Sequence, residues 1–316
     1  MTEEDKKENE WPVEGVFVDL DYVLSKKGVA IVVDTRSKED YLKGHIPGAI
    51  SLGKPKLKAA LLLRDTLVRM RPLRKLEKFL GSKGIARESE IILYGVKSDF
   101  YTAVVYWILD VLGFREIRFF NDGIAGAVAS GVELETAVNS LAPVKLKASI
   151  DKSLAVTTNQ VYENLTSQKA VFVDVRTPGE HSGGDPRALR GGRIPGSINI
   201  HVEDNLTDSK SRTLKPVNEL KELYKNLDPN REVIIYCQLA TRATYTYVIL
   251  KALGFKKAAS YDDSWIIWGN RIDLPVERIS WFNRRTFKFV SGTKMMLSIL
   301  AVIVKGSILK LFKYQT

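Results

Sequence analysis

The strongest constraint on the fold is that the chain repeats itself. VVDTR at 32–36 returns as FVDVR at 172–176, and GHIPGAI at 44–50 returns as GRIPGSI at 192–198. IILYG at 91–95 returns as VIIYC at 233–237, and VLGF at 111–114 returns as ALGF at 252–255. The offsets are 140, 148, 142 and 141, in unbroken order. A period this long means one domain duplicated, because solenoid repeats are several times shorter. The jump in offset falls at HSGGDPRALRGG (181–192), whose Gly and Pro content predicts a surface loop.

Each copy has the same local grammar. VAIVVDTR and KAVFVDVR are β-branched runs bounded by polar residues, the pattern of buried strands. EVIIYC is another, and it leads into a segment where Val248, Ile249, Leu250 and Leu253 recur at helical spacing. Gly254 is placed to cap that helix, and KKAASYDD predicts a further short strand. Strands alternating with helices indicate the α/β class, a parallel sheet covered by helices in each copy. The expected partition is a disordered lead over 1–13, a first domain over 14–135 and a linker over 136–150. A second domain over 151–280 and a basic, apolar tail over 281–316 complete it.

Cys237 is the only cysteine in the sequence, and it ends the strand EVIIYC with Arg242 five positions on. A free cysteine is often a small buried hydrophobe kept for packing. Its position supports a second reading. In open α/β sheets, ligands gather at the carboxyl ends of strands. The unpaired amides and dipole of the following helix, together with Arg242, favour a thiolate there. One cysteine leaves no internal disulfide and fits a reducing, cytoplasmic setting. His45, His181 and His201 show no metal-ligand spacing, so neither a metal site nor a cofactor is expected. The segment MTEEDKKENE has no apolar run that would serve as a secretory signal.

With VDVR, GRIPGSI, YCQLATR and SYDDSWIIWG in the second copy and VDTR, GHIPGAI and ILYG in the first, the chain resembles the tandem-domain rhodaneses, the thiosulfate sulfurtransferases. The resemblance covers roughly residues 14–280. It implies two tandem rhodanese-like domains, with the catalytic cysteine in the second alone. Gly95 stands where Cys237 stands in the second copy, in agreement with this. It further implies a double displacement: Cys237 takes the outer sulfur of thiosulfate as a persulfide and passes it to cyanide, a small thiol or thioredoxin. Amides of Gln238, Leu239, Ala240, Thr241 and Arg242 would surround the sulfur, and Arg242 would hold the donor's anionic head. Phe100 and Tyr101 would line the cleft between the domains; packing at a helix start is the competing role. Trp265 could share that lining, with aromatic core as the competing role, as for Trp268. Asp34, Arg36, Asp174 and Arg176 would be structural ion pairs at strand ends.

The loop departs from its relatives. Gln238 stands where a basic residue is usual and Ala240 where a glycine is usual, which weakens the expected grip on thiosulfate. A 3-mercaptopyruvate sulfurtransferase is the nearest alternative, and Arg242 argues against it. A phosphatase or arsenate reductase also places a cysteine and an arginine on one loop, but on a longer one. Only the four residues Gln238 to Thr241 intervene here. A non-catalytic module that binds a sulfur carrier is the remaining alternative.

The net charge is +11, and seven basic residues with no acid fall between Trp281 and Thr316, leaving +4 on the rest. So mild an excess on the body argues against nucleic acid as a partner. In the tail, Met295–Val304 carries no charge, too short a run to span a bilayer. Lysines and arginines around it fit an interfacial helix on anionic lipid, which would make the protein peripheral to a membrane. Packing on the protein's own surface or on a second subunit is the alternative.

Overall fold

The hydrophobic runs around the two VD-x-R motifs form the central strands of two separate sheets in the computed structural model, which describes residues 9–53 and 73–281. In the first copy, Ile31–Asp34 (β1), Ile50–Ser51 (β2), Ile91–Tyr94 (β3) and Ile117–Phe119 (β4) pair in parallel in the order β2-β1-β3-β4. A parallel bridge from Phe17 to Phe119 continues that sheet past β4.

The second copy supplies Ala155–Val156 (β5), Ala170–Asp174 (β6), Arg190–Arg193 (β7), Ile198–Asn199 (β8), Glu232–Tyr236 (β9), Ala258–Tyr261 (β10) and Glu277–Trp281 (β11). Its sheet runs β8-β6-β9-β10-β5, all parallel. Strand for strand this is the first sheet again, with β5 in the place of Phe17. The register repeats as well: Asp34 faces Tyr94, and Asp174 faces Tyr236. Parallel strands are covered on both faces, which is why β3 and β10 are buried at every residue.

The two copies meet through the helices that follow their central strands. Phe100–Val111 and Thr241–Ala252 pack on each other and are buried over almost their whole length. Tyr247 donates to Asp110 at 2.6 Å, Lys251 pairs with the same carboxylate, and Tyr245 donates to Asn121 at 3.0 Å. One continuous apolar cluster runs through both sheets and both helices. The halves are thus joined by a hydrophobic core with a few satisfied polar contacts.

Three expectations change. The segment 181–192 is only partly a surface loop, because its end enters β7, which pairs antiparallel with β11. Arg190 there is buried and donates to the carbonyls of Trp268, Gly269, Arg271 and Leu274. Residues 9–13, assigned to a disordered lead, are docked: Trp11 lies 4.9 Å from Phe17, and the Val13 amide donates to Ala252 at 3.0 Å. The segment 136–150 is held against the first copy by Asn139 and by the Val144 amide on Gly81. Among the described residues no helix is long and apolar enough to cross a membrane. The tail after Trp281 lies outside them.

Candidate functional site

Strand β9 ends at Tyr236, and the helix Thr241–Ala252 begins four residues after Cys237. The loop between them is built by its neighbours. The helix Ser264–Trp268 donates two amides to it, Trp265 to the Cys237 carbonyl at 2.9 Å and Ile266 to the Gln238 carbonyl at 3.1 Å. Ser264 does more: its hydroxyl donates to the Tyr261 carbonyl at 2.9 Å and accepts from the amides of Ala240 at 3.1 Å and Cys237 at 3.4 Å. That uses the hydroxyl's one donor and both lone pairs. Ala240 and Ser264 are themselves left-handed, with φ of 59° and 50°. Such a conformation costs a non-glycine residue about 1–2 kcal/mol, so two strained residues bonded to each other fix the turn.

Cys237 is almost fully buried at the edge of the apolar cluster, with Leu239, Ile266 and Ile267 forming an apolar rim around Ala240. Of the five loop amides expected around the sulfur, Ala240's is taken by Ser264 and Thr241's by the Leu239 carbonyl at 2.8 Å. Those of Gln238, Leu239 and Arg242 make no hydrogen bond to other groups among the described residues. The Gln238 side chain donates to the Arg187 carbonyl at 2.8 Å, and its buried Oε1 has no partner among the described residues.

Arg242 is not an open fork. Its Nη1 and Nη2 donate to the two oxygens of Glu180 at 2.8 and 3.0 Å. Glu180 is fully buried, closes the capping box begun by Thr177, and also lies 3.8 Å from Arg187. Burial works to raise its carboxyl, but the Arg242 bonds and charge outweigh that and hold it below the usual carboxylate range. Burial likewise opposes the Arg242 cation, but the bonds from Glu180 outweigh it and raise it above an ordinary arginine. Arg242 and Glu180 therefore form one ion pair beside the cysteine loop. That partnership and the Ser264 hydroxyl carry no local sequence signal, although T-x-x-E after VDVR marks Glu180 as a helix cap.

The same loop in the first copy keeps the skeleton and fills the space. The Gly95 carbonyl accepts from Ile124 as Cys237's does from Trp265, and Ser98 is left-handed where Ala240 is. A side chain at Gly95 would collide with the Asp99 carboxylate and the hydroxyls of Thr35 and Thr102, which bond one another there. The rest of that loop clasps the second copy: Lys97 donates to Thr213 and Ser98 to the Arg212 carbonyl, both at 2.7 Å. Phe100 lies between the Arg212 guanidinium at 4.7 Å and the Tyr245 ring at 5.1 Å. Tyr101 and Trp265 are buried, and Trp265 stacks on Arg176 at 4.3 Å. Tyr101 and Trp265 are thus core residues, and the half-buried Phe100 packs where the two copies meet.

A family model described as the rhodanese-like domain matches residues 19–130 and again 157–271. A thiosulfate sulfurtransferase of Corynebacterium glutamicum is 32% identical over 267 residues, covering 80% of this chain and 86% of the relative. The sulfur carrier protein TtuD of Thermus thermophilus is 29% identical, covering 75% and 87%. Among solved structures, SseA of Escherichia coli, a 3-mercaptopyruvate sulfotransferase, superposes with a TM-score of 0.67 at 21% identity, over 79% of this chain and 98% of its own. The chain belongs to the rhodanese family, with two rhodanese-like domains in tandem.

Proposed function

We propose that the protein is a sulfurtransferase in which Cys237 carries the sulfur and thiosulfate is the donor. The observation that bears most on this is the placement of the sole cysteine in a strained loop between the end of the central strand and the helix that carries Arg242. The cysteine thiolate attacks the outer sulfur of thiosulfate; that sulfur–sulfur bond breaks, and sulfite leaves with the electron pair. The resulting persulfide gives its outer sulfur to cyanide, a small thiol or thioredoxin and restores the thiolate. Amides of Gln238, Leu239 and Arg242 are the loop donors left to steady the persulfide. The region 151–280 does the chemistry, and the region 14–135, joined to it by 136–150, is its non-catalytic partner. The names of the Corynebacterium and Thermus relatives, a thiosulfate sulfurtransferase and a sulfur carrier protein, support sulfur transfer. Incubation with thiosulfate followed by intact-mass measurement should show one added sulfur, mapped to Cys237. An unchanged mass would sink the reading and favour a binding module.

The tail adds a separate proposal of peripheral attachment to anionic membrane, supported by its seven cations and its lack of acids. The full chain should co-sediment with anionic liposomes at low salt, and a chain ending at Trp281 should stay in the supernatant. Both remaining in the supernatant removes the membrane reading.

A further inference from the structure

Two cations beside the cysteine loop, Arg242 and Arg187, are already matched by carboxylates. Arg242 is gripped through two nitrogens by the buried Glu180. Arg187, whose carbonyl holds Gln238, turns its guanidinium to Asp185 at 3.1 Å and lies 3.8 Å from Glu180. Gln238, the residue after the cysteine, adds no charge. Arg242 and Arg187 are thus balanced by Glu180 and Asp185, and the neighbouring Arg176 by Asp174, so among these three guanidinium groups none is left without a carboxylate. Thiosulfate brings two negative charges, and bringing them beside a thiolate is opposed unless cations are free to meet them.

We propose that Glu180 and Asp185 are specificity-determining residues: by neutralising Arg242 and Arg187 they weaken the site's hold on the doubly charged thiosulfate and let singly charged donors, such as thiosulfonates or organic persulfides, compete with it. The inference rests on the sulfurtransferase reading above. With a thiosulfonate, the Cys237 thiolate attacks the outer sulfur, the sulfur–sulfur bond breaks, and a sulfinate leaves with the electron pair. The same persulfide results from either donor, and only the charge of the incoming and departing groups differs.

The test compares thiosulfate with methanethiosulfonate, using cyanide as acceptor, in the full chain. The readout is the ratio of their kcat/KM values. Glu180→Gln keeps a cap for Thr177 and removes the carboxylate charge that neutralises Arg242, so the ratio should rise about tenfold in favour of thiosulfate. Asp185→Asn acts at a half-exposed side chain, so its rise should be smaller, about threefold. Asp185→Asn also carries the test alone if the buried variant does not fold. Equal losses on both donors in Glu180→Gln would make Glu180 a mere holder of Arg242 and overturn the proposal, as would an unmoved ratio in Asp185→Asn. If both donors load Cys237 in the unaltered protein and the ratio stays fixed, the charge proposal alone fails. If neither donor loads it, the sulfurtransferase reading fails with it.

Discussion

Replacing Cys237 by serine should abolish sulfur transfer while leaving the fold in place. The side chain is almost fully buried, yet its backbone does the structural work: the carbonyl accepts from Trp265 and the amide donates to Ser264. Serine keeps both contacts and is slightly smaller than cysteine. The stability loss should therefore stay within about 1–3 kcal/mol, the penalty for a buried hydroxyl without a full set of partners. Activity has no such reserve. A serine hydroxyl is neither ionised nor nucleophilic toward sulfur, and the sequence holds no second thiol to replace it. The first copy offers no substitute, since Asp99, Thr35 and Thr102 occupy the space a side chain at Gly95 would need. Cyanide-dependent thiocyanate formation is the measurement, with thermal unfolding as the control. Turnover close to that of the unaltered protein would place the nucleophile elsewhere.

How much of this was legible in the sequence depends on how local each signal is. The two sheets follow from β-branched runs of a few residues, repeated in order, and β1 and β6 lie within the segments those runs mark. The strand–loop–helix at Cys237 is equally local, and so was readable. The β7–β11 ribbon was not. RGGR has the composition of a loop, and its strand character comes from a partner 84 to 91 residues later. Glycine there is required rather than tolerated: a side chain on Gly192 would meet the backbone of Glu277 and Arg278. The Arg242–Glu180 pair spans 62 positions and has no period to betray it. The place of Arg242 in the loop points to a ligand, and its protein partner Glu180 lies outside any local pattern. The same holds for Ser264, whose motif was visible but whose hydroxyl, bonded to the loop amides, was not.

The largest expected loss of stability comes from Asp174→Asn. Asp174 is fully buried at the end of β6 and accepts from the Arg176 amide at 3.0 Å, from its guanidinium at 2.6 to 3.2 Å, and from the Tyr236 hydroxyl at 2.9 Å. The His181 ring nitrogen lies at 2.9 Å. Arg176 is buried as well, stacked on Trp265 and donating to the Gly192 carbonyl at 2.7 Å. Asparagine keeps the shape and removes the charge, leaving a buried guanidinium without its counter-ion, a loss of about 3–5 kcal/mol. The matching substitution in the first copy, Asp34→Asn, should cost less, because Arg36 is 11% exposed against 1% for Arg176 and water can replace part of what is lost. Acid should bring the unaltered protein and the Asp174→Asn variant closer together in stability. Burial tends to raise the Asp174 carboxyl, but Arg176 and His181 outweigh it and hold it below the usual range. A depressed carboxyl contributes its stability above the unfolded pKa of about 3.9 and loses it as the pH falls through the folded value. The unaltered protein should therefore lose stability steeply below about pH 4, and the Asp174→Asn variant should show a shallower slope there. Urea unfolding of both proteins across that range measures it. A loss at neutral pH no larger than that of Asp34→Asn, with an unchanged acid slope, would show that the buried pair is not what holds β6 to its loop.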